Sequence, residues 1–175
     1  MSNNHEIMVD IETMGTNADA PILAIGAVKF NTYTGTIGEE FYERITLKSN
    51  VGRPIDPDTV EWWLRQSKEA QAALTRNPRT DLKTALGKFT TFCRGASTIW
   101  SNGPTFDEAI LRDAMEQLGM QFPLKFYTSR CVRTVRDLGE RLGAPRSNNA
   151  LAHDALEDAR AQAIDVINIL ALVKS

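Results

Sequence analysis

The spacing of apolar residues along the chain changes after Leu47. Before that point, apolar residues concentrate in residues 6–12, residues 22–30 ("ILAIGAVKF") and residues 41–47 ("FYERITL"). The turn-forming stretches "GTNADAP" and "NTYTGTIG" separate these runs, so they read as strands. Their close spacing predicts an antiparallel meander. Beyond Leu47 the period becomes helical. Asp56 followed by Pro57 is a helix start, with an acceptor at the cap and proline at the first helical position. Pro78 interrupts the helical pattern, and a new helix is expected over residues 81–94, where Leu82, Ala85, Leu86 and Phe89 share a face. A short strand over 97–102 precedes a helix over 104–117 that Gly119 closes. A fifth short strand is expected near 125–129 ("KFYTS"), then a helix over 131–142. A last helix over 152–173 carries Ala155, Ala159, Ala163, Val166, Ile167 and Leu170 as its apolar stripe. No repeat or linker divides residues 1–175. The pattern describes one mixed α/β domain with three antiparallel strands first.

The first strand contains an anomaly. Side chains alternate across a strand, so Ile7, Val9 and Ile11 share one face while Met8, Asp10 and Glu12 share the other. Two carboxylates on one face repel, and burying either without a partner is costly. Two further acids lie far along the chain: Asp107, just inside a helix that follows a strand, and Asp158, within the last helix. A compact fold can bring the four together, and carboxylate oxygens suit Mg²⁺ or Mn²⁺. The cation that offsets Asp10 and Glu12 is therefore read as a metal ion or a pair of them. By themselves the acids have plainer readings: a strand-borne Asp-x-Glu is often solvated at a sheet edge, and Asp107 suits a helix N-terminus. Asp154 and Glu157, beside Asp158, read as surface residues, with a contact behind the metal ligands as the alternative for Asp154, one turn before Asp158.

Composition narrows the partners. The net charge of −2 gives no footprint for gripping long duplex nucleic acid, though a strand end held through metal ions remains compatible with it. No apolar run reaches the roughly 18 residues of a membrane span. "MSNNHEIMVD" lacks the basic and apolar regions of a secretory leader. Cys93 and Cys131 lie far apart, without metal-type spacing, and read as free thiols in a reducing cytoplasm.

"DIET" (Asp10–Thr13), "NGPTFD" (Asn102–Asp107) and "HDALED" (His153–Asp158) together resemble the three motifs of the DEDDh 3′–5′ exonuclease superfamily, in the same order. "DIETMGTNADAPILAIGAVKF" and "DTVEWWLRQS" are similar to a bacterial and phage subgroup of the DexA and RNase AS type. The resemblance spans nearly the whole chain. It implies a ribonuclease H-like fold with a central mixed five-stranded sheet flanked by helices. It also implies two Mg²⁺ or Mn²⁺ ions per site, held by Asp10, Glu12, Asp107 and Asp158, with Asp10 bridging both and His153 as general base. The expected reaction is hydrolysis from the 3′ end of a single strand, releasing nucleoside 5′-monophosphates. DNA is set slightly ahead as substrate, and an exoribonuclease is the alternative. A homodimer is expected from relatives alone. Two rivals are a binding module that kept the fold without activity and a nucleotide pyrophosphohydrolase, which would act on free nucleotides instead of shortening oligonucleotides.

Around these acids lie candidate substrate contacts. Thr13 closes the first motif. Adjacent helical residues point about 100° apart, so Trp62 and Trp63 cannot share one core. With Val60, Trp63 and Leu64 inward, Trp62 is free to stack on a base; packing alone is the competing role. Phe106 and Met14 are either wedges at the terminal nucleotide or core residues. Asn102 either bonds a base or sugar or simply ends its strand. Arg133 and Arg136 share a helix side and either guide phosphates or are solvated.

Overall fold

The computed structural model describes residues 5–147 and 153–174. Its centre is strand β1 (Glu6–Thr13), whose apolar residues are buried on both faces. Strands β2 (Ile22–Asn31) and β3 (Thr36–Arg44) extend the sheet antiparallel on one side. Strands β4 (Thr98–Ser101) and β5 (Ser129–Cys131) extend it in parallel on the other, giving the order β3-β2-β1-β4-β5. Helices α1 (Pro57–Leu64), α2 (Lys68–Thr75), α3 (Leu82–Phe92), α4 (Asp107–Gln117), α5 (Val132–Arg141) and α6 (Ala155–Lys174) surround it.

The period-2 reading of β1 decides the layers. Ile7, Val9 and Ile11 pack with Leu86 and Phe89 of α3 and Leu111 of α4. Met8 faces the other way, against Val28, Trp100, Val132 of α5 and Ala159 and Ala163 of α6. Both layers exclude water from apolar surface, the main favourable term in folding. The expected mixed five-stranded sheet is present, with its three antiparallel strands first.

Several boundaries differ from the sequence reading. The third strand starts earlier, at Thr36, because the Asn31 side chain accepts from the N–H groups of Tyr33 and Thr34 (2.8 and 3.0 Å) and Gly35 turns at φ +71°. A turn that tight lets Thr36 pair with Asn31. The strand is half-exposed and polar, which hid its first half. It ends at Arg44, and residues Leu47–Ser49 form a 3₁₀ turn. Helix α2 was not expected; the Ser67 hydroxyl caps it by accepting from Ala70 N–H. The fifth strand lies later than 125–129 because residues Phe126–Thr128 form a 3₁₀ turn, with the N–H and hydroxyl of Thr128 both donating to Lys125 O. Helix α6 begins at Ala155, after Asp154; the expected start at Ala152 lies outside the described residues.

One glycine sets the distance between layers. Gly26 pairs with Asp10 across β1 and β2. A Cβ at Gly26 would fall 2.2–2.4 Å from the backbone of Ala155 and Leu156. The first turn of α6 thus rests on bare strand backbone beside Asp10, an approach that a larger residue would prevent.

Candidate active site

Where β1 meets the start of α6, the four acids converge. Asp10 and Glu12 leave β1 on the α6 side, as alternation requires. Asp154, Asp158 and Gln162 follow at helical spacing, so the first turns of α6 turn a polar edge toward them. One carboxylate oxygen each from Asp10, Glu12 and Asp158 lies within 4.8 Å of the others. Asp107, the first residue of α4, stands outside that group but close enough for its charge to act on Asp10 and Glu12.

The cluster is strained electrostatically. Burial, followed by the charges of Asp107, Glu12 and Asp158, holds the Asp10 carboxyl well above the usual carboxylate range. Burial, then Asp158, Asp154 and Asp107, pushes Glu12 up to about 8. Burial pushes Asp107 up to about 7, while the nearby backbone N–H of Ile11 acts to lower it. Among the described residues, no lysine or arginine forms an ion pair with Asp10, Glu12 or Asp107. Crowded oxygen-only donors, with no ion pair to Asp10, Glu12 or Asp107 among the described residues, fit a hard divalent cation.

His153 stands at the mouth of this cluster. Its φ of +66° is uncommon for a residue with a side chain, and such a conformation persists only when its surroundings enforce it. Its N–H donates to Asp158 Oδ2 (3.1 Å). The next residue, Asp154, is buried, correcting its reading as a surface residue. One Asp154 oxygen accepts from the Leu156 and Glu157 N–H groups (3.1 and 3.3 Å), and the other from the Tyr42 hydroxyl (2.9 Å). This caps α6 and clamps the chain next to His153. The imidazole meets Trp62 edge-to-face at 4.7 Å and Trp63 at 6.1 Å.

These groups open on a cleft of about 680 Å³ lined by Glu12, Thr13, Trp62, Phe106, Arg133 and His153, among others. Trp62 is 40% exposed there. Trp63 also lines the cleft but is buried, its indole N–H donating to Thr13 O (2.9 Å), so it braces the end of β1. Leu64 is 72% exposed, contrary to the inward face expected of it. It ends α1, where the Gln71 amide caps the carbonyls of Trp63 and Leu64 and the chain turns away. Phe106 lines the cleft and also packs against the core.

Two candidates fall elsewhere. Met14 packs with Leu23, Trp63 and Leu74, away from the cleft, because the β1–β2 register shifts between Glu12 and Thr13 and breaks the alternation. Asn102 does not line the cleft; its Oδ1 accepts from Arg136 (3.3 Å), whose Nε also donates to Asp165 (2.8 Å). Arg136 is thus engaged internally, whereas Arg133 reaches the cleft.

The sequence reading missed Gln162, which is buried and donates to Asp10 Oδ1 (2.8 Å). Its position four residues after Asp158 was the available signal. Tyr42 and Gly26 were also missed, since their roles depend on pairing across the sheet.

A family model described as the 3′-5′ exoribonuclease Rv2179c-like domain matches residues 5–170. The chain belongs to this family. It is therefore a member of a 3′–5′ exonuclease family, as its motifs suggested. The exodeoxyribonuclease of Enterobacteria phage T4 is 25% identical over 190 residues, covering 87% of this chain and 83% of that protein. The nuclease domain of 3′hExo, a DEDDh family member bound to rAMP, superposes with a TM-score of 0.65 at 13% identity, covering 96% of this chain and 92% of that one. Cell-death related nuclease 4 gives 0.68 at 12% identity over 97% of this chain, which spans 64% of its length. The zinc-bound ExoI–ssDNA complex of E. coli gives 0.66 at 14% identity, over 91% of this chain and 39% of that one. These likenesses establish the shared ribonuclease H-like fold. Among the described residues, no helix is long and apolar enough to cross a membrane.

Proposed function

We propose that residues 1–175 form one exonuclease domain that removes nucleoside 5′-monophosphates from single-stranded 3′ ends. The observation that carries this reading is the convergence of Asp10, Glu12, Asp107 and Asp158 with His153 at one cleft. The four acids would hold two Mg²⁺ or Mn²⁺ ions. Such ions, when bound, lower the pKa of the attacking water and stabilise the departing 3′ oxygen. The chain's own residues do the rest. His153 takes the proton of the attacking water, a contribution of about 10²–10⁴-fold. Its ring is held for that task by Trp62, and its backbone by Asp158 and the Tyr42–Asp154 clamp. Trp62 and Phe106 flank the terminal base without reading it, since every base offers a face for stacking. Thr13 and Trp63 shape the floor beneath.

The sugar is the point on which the relatives' descriptions divide. The family description speaks of an exoribonuclease, and the T4 relative is an exodeoxyribonuclease. DNA is kept as the first substrate, with RNA as the second reading because of that family description. The homodimer expected from relatives belongs to the same proposal, and light scattering would test it. The deciding experiment uses 5′-labelled single-stranded and duplex DNA and RNA with Mg²⁺, Mn²⁺ or EDTA. A ladder descending from the 3′ end, abolished by EDTA, is expected, and the faster sugar identifies the substrate. Loss of no nucleotide from any strand with either ion would overturn the reading.

A further inference from the structure

Arg133 is the one arginine or lysine that lines the catalytic cleft among the described residues, whose other charged lining groups include Glu12, Asp56 and Asp58. It is exposed, and its guanidinium lies over Gly103, 3.7 Å from where a Cβ would stand. The loop between β4 and α4 leaves that face bare. Arg136, one turn further along α5, is bound to Asp165 and Asn102. Arg133 has no such hydrogen-bond or ion-pair partner among the described residues. A cation left without a carboxylate in an acid-rich cleft is placed for an anionic ligand. Its fork of donors matches two phosphate oxygens.

Its position also indicates which phosphate. The phosphate being hydrolysed must lie against Asp10, Glu12 and Asp158. Arg133 stands over Gly103 on the loop between β4 and α4, and makes no ion pair with Asp10, Glu12 or Asp107, so it lies beside that group and not in it. We propose that Arg133 binds the phosphate one step upstream of the scissile one, so that it positions the penultimate nucleotide. This rests on the exonuclease reading and gives that site a subsite for substrates of three or more nucleotides.

The test compares a dinucleoside monophosphate, which carries only the scissile phosphate, with a trinucleoside diphosphate, which carries one more. In Arg133→Ala the KM of the longer substrate, relative to the shorter, is expected to rise about tenfold, and Arg133→Lys to recover part of it. For a longer labelled oligonucleotide bound with Ca²⁺, measured by anisotropy, the slope of log affinity against log salt should fall by about 0.7, one phosphate's share for a single strand. An equal loss on both short substrates, or an unchanged KM ratio, would overturn the assignment. If the wild-type protein shortens neither of these substrates nor the longer oligonucleotide, the exonuclease reading fails. The anisotropy arm then still decides for Arg133: an unchanged salt slope in Arg133→Ala refutes phosphate binding there.

Discussion

The two faces of strand β1 are opposite solutions on one short segment. On one side Ile7, Val9 and Ile11 lie in a continuous apolar layer with α3 and α4. On the other, Met8 begins an equally apolar layer against α6, but the next two positions are Asp10 and Glu12. The first face supplies stability throughout. The second gives it up at its far end, where burial and mutual repulsion raise the carboxyl pKa values. Their contrast explains how the fold supports its chemistry. A strand gripped firmly from one side can carry unfavourable charges on the other at fixed positions.

Substitutions on each face should separate the two roles. The largest effect is expected at Asp10. Asp10→Asn should lower kcat by about 10³-fold or more, as loss of a group that stabilises the reacting charge does. The amide still accepts from Gln162, and one buried charge disappears, so the melting temperature of the ion-free protein should rise. A fall would break the contrast between the faces. Ile7→Ala should do the reverse, costing about 2–5 kcal/mol in denaturant unfolding while leaving kcat of the folded fraction near wild type.

Gln162→Ala leaves the four acids in place but frees the Asp10 carboxylate to rotate. Mn²⁺ affinity, measured by calorimetry, should weaken by about 10–100-fold, the usual cost of losing a group that orients a metal ligand. Unchanged affinity would show that the β1 backbone alone orients Asp10.

The smallest effect is the pH dependence of melting. Glu12 and Asp107 have folded pKa values raised to about 8 and about 7. Between the unfolded values near 4 and these, the folded chain binds more protons than the unfolded one, so stability falls as pH rises. Ion-free protein should therefore melt a few degrees lower at pH 8 than at pH 5, and Mg²⁺ or Mn²⁺ should recover more at pH 8. Melting that rises over that range would show that the cluster is not strained.

Much of this was legible from the chain because it depends on local rules. Alternation placed Ile7, Val9 and Ile11 opposite Met8, Asp10 and Glu12, and the Asp56–Pro57 pair marked the start of α1. The three motifs named the four acids and His153 by their order. Other readings failed where tertiary contacts overrode local pattern. Met14 left its expected face because one register shift ended the alternation. Leu64 turned outward because α1 stops there, and Asp154 proved buried because Tyr42, more than a hundred residues earlier, meets it from β3.

The order of residues was enough to establish the sheet, most of the helices and the main chemical inventory: a strand with two acids on one face, two further acids, a histidine and a tryptophan pair. Their geometry came from the packing of the folded chain. Gly26 lets α6 rest on bare strand so that Asp158 and Gln162 reach Asp10. A capped turn holds His153 at a φ its own side chain disfavours, and an ion pair removes Arg136 from the cleft while Arg133 remains in it. Such distances depend on how closely two layers pack, and packing is set by residues remote along the chain.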